Sequence, residues 1–385
     1  MSPNEQKLNI KKKILIFSLA YHPFIGGAEI AIKEITERLG DVFDFDMITA
    51  NLDGKQLVMQ RDFNGINRIY RVGSGLVAKY FFPWLAYAQA CKLHKQNNYH
   101  IVWAIMANQA GWAALKFKKN FSQIPYLLTL QEGDSEFDIW LRTFFIRPIY
   151  KSIYRRADRI QAISSFLAQR AKRMGAKCPI FVIPNGVNFF ESVSIDKNLD
   201  IKLIFSSSRL VKKNGMDDLI KAFWILRNKY KRKVDLKIVG QGYLKDKLEK
   251  MIKTLGLKNL IEGKILEGEI PYYQVYKYLS RADIFVRPSL SEGLGNSFLE
   301  AMSMGVPIIG TKMGGIPDFL EDGKTGWFCE VKNPESIAEK MNYILDDKNK
   351  KEVDSVVFAA KKLVRDKYSW SSISSRMLDF FNIVN

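Results

Sequence analysis

Short apolar runs alternate with helix-length amphipathic stretches along the whole chain. Residues 14–18 are an almost unbroken apolar run of strand length, and residues 28–39 carry apolar positions at helical spacing until Gly40 stops them. Further strand-length runs occupy 45–49, 101–105, 126–130, 159–163 and 180–183. The stretch 101–115 contains Asn108, Gln109 and Gly111, so it predicts strand, turn and helix rather than a membrane span. The scheme restarts with a strand at 202–206, a helix over 217–230, a strand over 234–239 and a helix over 245–255. Strands follow at 284–287 and 306–310. Strands without polar alternation, separated by helices, predict parallel sheets covered on both faces. The turn Pro184-Asn185-Gly186 and the weakly patterned, polar 191–200 mark a seam. The expected fold class is therefore α/β, with two doubly wound, Rossmann-like domains over 1–190 and 200–365 facing a cleft. Residues 366–385 are expected to form a C-terminal helix that packs back on the first domain. Ligands in such sheets lie beyond the carboxyl ends of the strands.

A length of 385 residues, 47% hydrophobic and 26% charged, suits two soluble cores. Charge changes the picture: 59 Lys and Arg against 40 Asp and Glu leave a net +19, which calls for an anionic partner. Nucleic acid, an acidic membrane surface and phosphorylated substrates all qualify. Cys91, Cys178 and Cys329 are scattered and odd in number, which excludes a disulfide framework and suits a reducing compartment. The opening MSPNEQKLNIKKKILIFSLA has too short an apolar run for a signal peptide and continues into a strand pattern. No pair among His22, His94 and His100 has metal-ligand spacing, so no metal site is expected.

The most informative run is SEGLGNSFLEAMSMGVPII, residues 291–309. Glu292 stands in a glycine-rich loop that opens a helix near 298–304, stopped by Gly305 and Pro307. Bare backbone N–H groups at a helix start bind anions, a diphosphate among them. Glu300, in the first turn, can accept hydrogen bonds from the hydroxyls of a ribose or hexose. Together these outline a nucleotide-sugar site. The alternative is structural: Ser297 and Glu300 have capping-box spacing, and Glu292 is then an ordinary loop residue.

Other strand ends carry weaker signals. Gly26 and Gly27, after the first strand, allow close approach to a phosphate or sugar, though without the G-x-G-x-x-G of a dinucleotide site. Arg209, Lys212 and Lys213 follow the strand at 202–206, where cations can neutralise a diphosphate. Gly240, Gly242, Gly314 and Gly315 follow two more strands. His22, beside the first glycines, is either a contact to sugar or acceptor or a plain turn residue.

Taken in order, HPFIGGAE (22–29), ADRIQAISSF (157–166), IPNGV (183–187), SSRLVKKNG (207–215), VGQG (239–242) and SEGLGNSFLEAMSMGVPIIGTKMGGIPDFLEDGKTGW (291–327) resemble the retaining GT-B glycosyltransferases of family 4, over nearly the full length. The resemblance implies a GT-B fold and a hexosyltransferase. Such an enzyme moves a hexose or N-acetylhexosamine from a UDP- or GDP-sugar to a lipid-linked or glycan acceptor, in cell-envelope polysaccharide synthesis, without a metal or other cofactor. It implies that Glu300 holds the donor ribose, with Asn296 and Gly240 also on the donor. Glu292, Gly293 and Leu294 would face the sugar and diphosphate, Arg209 the leaving phosphate, and Gly26 and Gly27 the donor phosphates or the acceptor. Two positions depart from the family pattern. Asn214 stands where a phosphate-binding lysine is usual, five residues after Arg209, and Lys213 is the neighbouring candidate. Gln131, Glu132, Gly133 and Asp134 stand where a histidine is usual, and Glu132 or Asp134 is the candidate contact to sugar or acceptor.

Residues 139–177 hold ten Lys and Arg but one acid, Asp158, interleaved with Trp140, Phe144, Phe145, Ile149 and Tyr150; 78–87 is similarly aromatic. This predicts a cytoplasmic protein lying peripherally on the anionic inner face of a membrane. The alternative is core aromatics with solvated cations. Competing functions are another GT-B nucleotide-sugar enzyme, an epimerase or inverting transferase, and a basic nucleic-acid-binding protein, which no recognisable nucleic-acid module supports.

Overall fold

The computed structural model describes residues 11–24, 26–61, 65–190, 201–257 and 263–382. The polar seam expected over 191–200 and the start of the chain lie outside these residues. Two compact units emerge: Met1–Glu132 with Trp140–Ile183 and Ser374–Asn385, and Gly133–Ile139 with Pro184–Ile373.

The first unit is built on eight strands, β1 (Lys12–Phe17), β2 (Phe43–Ala50), β3 (Met59–Gln60), β4 (Ile66–Val72), β5 (Ile101–Ile105), β6 (Tyr126–Leu130), β7 (Arg159–Ala162) and β8 (Ile180–Val182). Their order is β3-β4-β2-β1-β5-β6-β7-β8, all parallel except the short edge strand β3. The second unit has six parallel strands, β9 (Lys202–Ser207), β10 (Val234–Val239), β11 (Leu266–Gly268), β12 (Ile284–Arg287), β13 (Ile308–Thr311) and β14 (Trp327–Cys329), ordered β11-β10-β9-β12-β13-β14. The chain runs outward from β9 and then returns to its other side, so the strand order reverses between β9 and β12. The corresponding point of the first sheet lies between β1 and β5. These are the crevices where doubly wound sheets bind ligands.

Thirteen α-helices are described: α1 (Gly27–Leu39), α2 (Gly75–Asn97), α3 (Gln109–Asn120), α4 (Glu136–Thr143), α5 (Arg147–Arg155), α6 (Ser165–Arg173), α7 (Met216–Asn228), α8 (Lys245–Thr254), α9 (Tyr272–Arg281), α10 (Asn296–Ser303), α11 (Pro334–Ile344), α12 (Lys350–Lys367) and α13 (Trp370–Phe381). Central strands read as continuous apolar runs because both of their faces are covered; Ile14, Leu15, Ile16 and Phe17 are fully buried. The second core gathers Ile204, Leu236, Ile238, Ile284 and Val286 from the strands with Leu219, Phe223 and Ile337 from the helices. Predicted and observed strands agree at the centres of both sheets, whereas β3, β4, β11 and β14 carry too few apolar residues to stand out in the chain.

From Ser374 on, α13 belongs to the first unit. Phe381 packs edge-on against Phe43, Phe45 and Trp103, and Phe380 against Phe181. Arg159 donates to the carbonyls of Asp379, Phe380 and Asn382, placing a cation at the negative end of the helix. Arg159 is thus a structural member of the basic run, and so is Arg170, which is buried and donates to the Glu132 carbonyl at 3.0 Å. Tyr150, expected on an exposed aromatic face, is buried too, its hydroxyl 2.8 Å from that of Tyr154.

Candidate active site

The loop after β12 turns back on itself to reach α10. Ser291 Oγ donates to the Gly133 carbonyl at 3.0 Å, and the Leu290 N–H to the Lys213 carbonyl at 2.7 Å. Gly315 N–H donates to the Glu292 carbonyl, so the loop after β13 clasps the loop after β12. The clasp needs a bare backbone at Gly314: its φ is +59°, and a Cβ there would lie 1.9 Å from the Glu292 carbonyl oxygen. The helix α10 then starts at Gly295 with no side-chain cap. Among the described residues no side chain caps its first turn; the Phe298 N–H turns back on the Gly295 carbonyl, and the amides before it are placed as donors for an anionic ligand.

Both glutamates of the run are fixed by partners. Glu300 is buried, and Oε1 accepts from the Tyr272 hydroxyl at 2.9 Å, which in turn lies 2.9 Å from that of Tyr276. Burial lifts the Glu300 carboxyl above its ordinary range, with the Tyr272 hydrogen bond and the Arg287 charge opposing the rise. Ser297 and Glu300 do not form a capping box: Ser297 Oγ instead accepts from Arg287 Nη1 at 3.0 Å. Glu292 Oε1 accepts from the Gly293 N–H at 3.0 Å, and Oε2 forms an ion pair with Arg287 Nη2, both side chains nearly buried. Arg287 Nη2 also donates to Asn214 Oδ1 at 3.1 Å.

Arg287 is the residue that sequence reasoning missed. The signal was present: a cation closes an otherwise apolar buried strand five residues before Glu292. Along the chain it marks only a strand end, because no spacing rule links a strand-terminal arginine to a carboxylate in the next loop. Asn214 also finds its role here. It is 1% exposed, with Nδ2 donating to the Arg209 carbonyl at 2.7 Å and Oδ1 serving Arg287. The position therefore carries a connector between the loops after β9 and β12, while Arg287 supplies the buried cation.

The other candidates fall as follows. Arg209 follows β9 and is exposed; its guanidinium has no hydrogen-bond or ion-pair partner among the described residues. Lys213 Nζ donates to Asp134 Oδ1 at 2.8 Å, so two expected ligand contacts are paired with each other. Gly293 adjoins Gly133, where an added Cβ would come within 2.6 Å of the Gly293 nitrogen. The Leu294 side chain is 1% exposed, so only its backbone can reach a ligand. Asn296 opens α10 and accepts from Asn185 Nδ2 at 3.5 Å. Gly240 serves packing: with φ +140°, its Cβ would sit 1.9 Å from the Ser208 carbonyl oxygen.

In the first unit, Gly26 precedes α1 in extended conformation as its N-cap, Gly27 is the first helical residue, and the His22 carbonyl accepts from Arg71 at 2.9 Å. Glu132, after β6, reaches sideways to accept the Ala107 N–H just beyond β5, beside the reversal of strand order. Burial raises its carboxyl above the ordinary range, and the backbone hydrogen bonds and the Arg170 charge work against the rise. Among the described residues no group of His, Cys, Asp and Glu could hold a metal ion, and no helix is long and apolar enough to cross a membrane.

Comparison with known proteins adds to this geometry. Residues 25–189 match the model described as Glycosyltransferase Family 4, and residues 188–362 that of Glycosyl transferases group 1. An uncharacterized glycosyltransferase of Methanocaldococcus jannaschii is 26% identical over 97% of this chain and 100% of its own. The fold is similar to that of sucrose-phosphate synthase from Thermosynechococcus elongatus (TM-score 0.83, 18% identity, 96% of this chain and 98% of the other). It is also similar to that of Anabaena HepE, solved with UDP and glucose (TM-score 0.77, 19% identity, 96% and 99%). The two sheets are accordingly those of a GT-B fold.

Proposed function

The chain belongs to the family 4, group 1 glycosyltransferases, and from that premise we propose that it is a retaining enzyme that moves a hexose or N-acetylhexosamine from a UDP- or GDP-sugar. The observation that carries this reading is the buried Glu300 carboxylate beside the uncapped start of α10, at the reversal of strand order between β9 and β12. A carboxylate held there by Tyr272 accepts the ribose hydroxyls, and the α10 amides take the diphosphate. Arg209, with its guanidinium in solvent, is the cation for the leaving phosphate, and Glu292, held by Arg287, faces the sugar. The anomeric C–O bond to the diphosphate breaks while the acceptor oxygen bonds the same carbon from the same face. The acceptor proton passes to the departing phosphate oxygen, whose charge the cation and amides stabilise. In the same reading the acceptor is lipid-linked or a glycan of the cell envelope, met at an anionic membrane face, and Glu132 beside β5 is its candidate contact.

Calorimetric titration with UDP-, GDP- and ADP-sugars tests the reading. Selective binding of one base is expected, with the product showing the donor's anomeric configuration by NMR. A folded sample that binds none of the three overturns the reading, and an inverted product overturns retention alone.

A further inference from the structure

The carboxyl edge of the first sheet carries two rows of apolar side chains in solvent. The helix α2 leaves that edge after β4, and Leu76, Val77, Tyr80 and Phe81 in its first turns are each more than half exposed. Their spacing places them on one face, while Ala78, Phe82, Ala86 and Ala90 on the opposite face are fully buried. The exposed row is therefore additional to the face that builds the core. After β6, at the same edge, Trp140, Leu141, Phe144 and Phe145 form a second exposed row at helical spacing, Phe145 at 94%. α2 packs on α3, and α3 on α5, which follows the second row directly, so both rows belong to one helical layer. Soluble surfaces carry scattered apolar residues; two rows of large ones on one layer mark an interaction surface.

Charge identifies the partner. Residues 63–131 contain eight Lys and Arg and no Asp or Glu, and residues 139–157 contain five cations and no acid. Lys79, Arg142, Arg155 and Arg156 are exposed close in sequence to the rows. Single-stranded nucleic acid calls for separate stacking aromatics along a cationic groove. Aliphatic and aromatic rows fringed by cations instead match the interface of an anionic bilayer, where the rings enter the headgroup region and the cations meet the lipid phosphates. We propose that this layer docks the protein on an anionic lipid bilayer through the α2 row and the Trp140–Phe145 row. The docking stands by itself; only the conclusion that the acceptor is delivered from the bilayer rests on the glycosyl-transfer reading.

Flotation of the full-length chain with vesicles tests it, comparing phosphatidylcholine alone with equal parts phosphatidylcholine and phosphatidylglycerol. Binding to the mixed vesicles only is expected, weakening about tenfold or more between low and physiological salt. Phe144→Ser with Phe145→Ser should abolish it, and Arg155→Glu with Arg156→Glu should weaken it severalfold. All four side chains are exposed, so thermal melts and donor binding should match the parent. No association with anionic vesicles at low salt overturns the proposal. So does binding that survives the serine pair, a lipid-free dimer that the serine pair dissolves, or RNA binding that is indifferent to it. Vesicle binding without any nucleotide-sugar binding would overturn the proposed function and leave the docking intact.

Discussion

The carboxyl edges of the two sheets are finished in opposite ways. In the second sheet the loops are tied to each other: Arg287 joins Glu292, Asn214 and Ser297, Tyr272 holds Glu300, and Gly240 and Gly314 stand where a side chain would strike a carbonyl. In the first, built polar contacts such as Arg71 on the His22 carbonyl and Glu132 on the Ala107 amide stand beside helices that present large apolar side chains and cations to solvent. A ligand of fixed shape and charge rewards groups held in place before it arrives. A partner with a fluid surface rewards area and charge, not fixed distances. Under the proposed function, the tied edge would take the nucleotide and the apolar, cationic edge an acceptor from a membrane.

Removing the arginine should damage the tied edge most. Arg287→Ala leaves Glu292 nearly buried without its cation, a loss of about 3 kcal/mol or more by urea denaturation, with donor turnover falling too. An unchanged melt would mean that the network is not a buried ion pair, and the contrast between the edges would shrink. Gly240→Ala comes next, at about 2 kcal/mol, from a positive φ and a carbonyl 1.9 Å from the new methyl. Gly256→Ala is its control: φ is +67°, nothing among the described residues lies within 4 Å, and the cost should be about half as large.

Glu300→Ala should weaken donor binding by about tenfold or more while leaving a folded protein, since it removes a charged acceptor. Its pH dependence has two opposite signs. The native carboxyl binds its proton more tightly than the unfolded chain does, so Glu300 favours folding in acid. That contribution is lost as pH rises from the ordinary glutamate value through the raised native one. Donor binding needs the ionised form and should therefore fall as pH drops through the raised value, by up to about tenfold per pH unit. Glu300→Gln should flatten that profile in calorimetry; a profile unchanged by the substitution would take Glu300 out of the donor site. The smallest effect belongs to Lys213 and Asp134, a partly exposed pair whose removal should cost at most about 1 kcal/mol. If Asp134→Asn speeds turnover at unchanged stability, the pair restrains a lysine that acts on the phosphate. If Lys213→Ala changes neither, its charge serves no step.

The sequence alone determined the class of fold, because fully covered parallel strands must be apolar along their whole length, as at 14–17, 204–205 and 284–286. It also located Glu292, Glu300 and the glycine loop, whose chemistry is local: bare backbone leading into a helix start. Only the tertiary structure excluded the capping box for Glu300, whose carboxylate is held instead by Tyr272, 28 residues away. It alone revealed Arg287, whose partners at 214, 292 and 297 meet only once β9 and β12 lie side by side. Likewise it divided the basic run into Arg159 and Arg170, bound to carbonyls, and Arg155 and Arg156, exposed. Periodicity reports which faces are covered, and it does so from neighbours along the chain. Partners across a sheet come from distant segments, so the pairing of a buried charge is settled only when those segments meet.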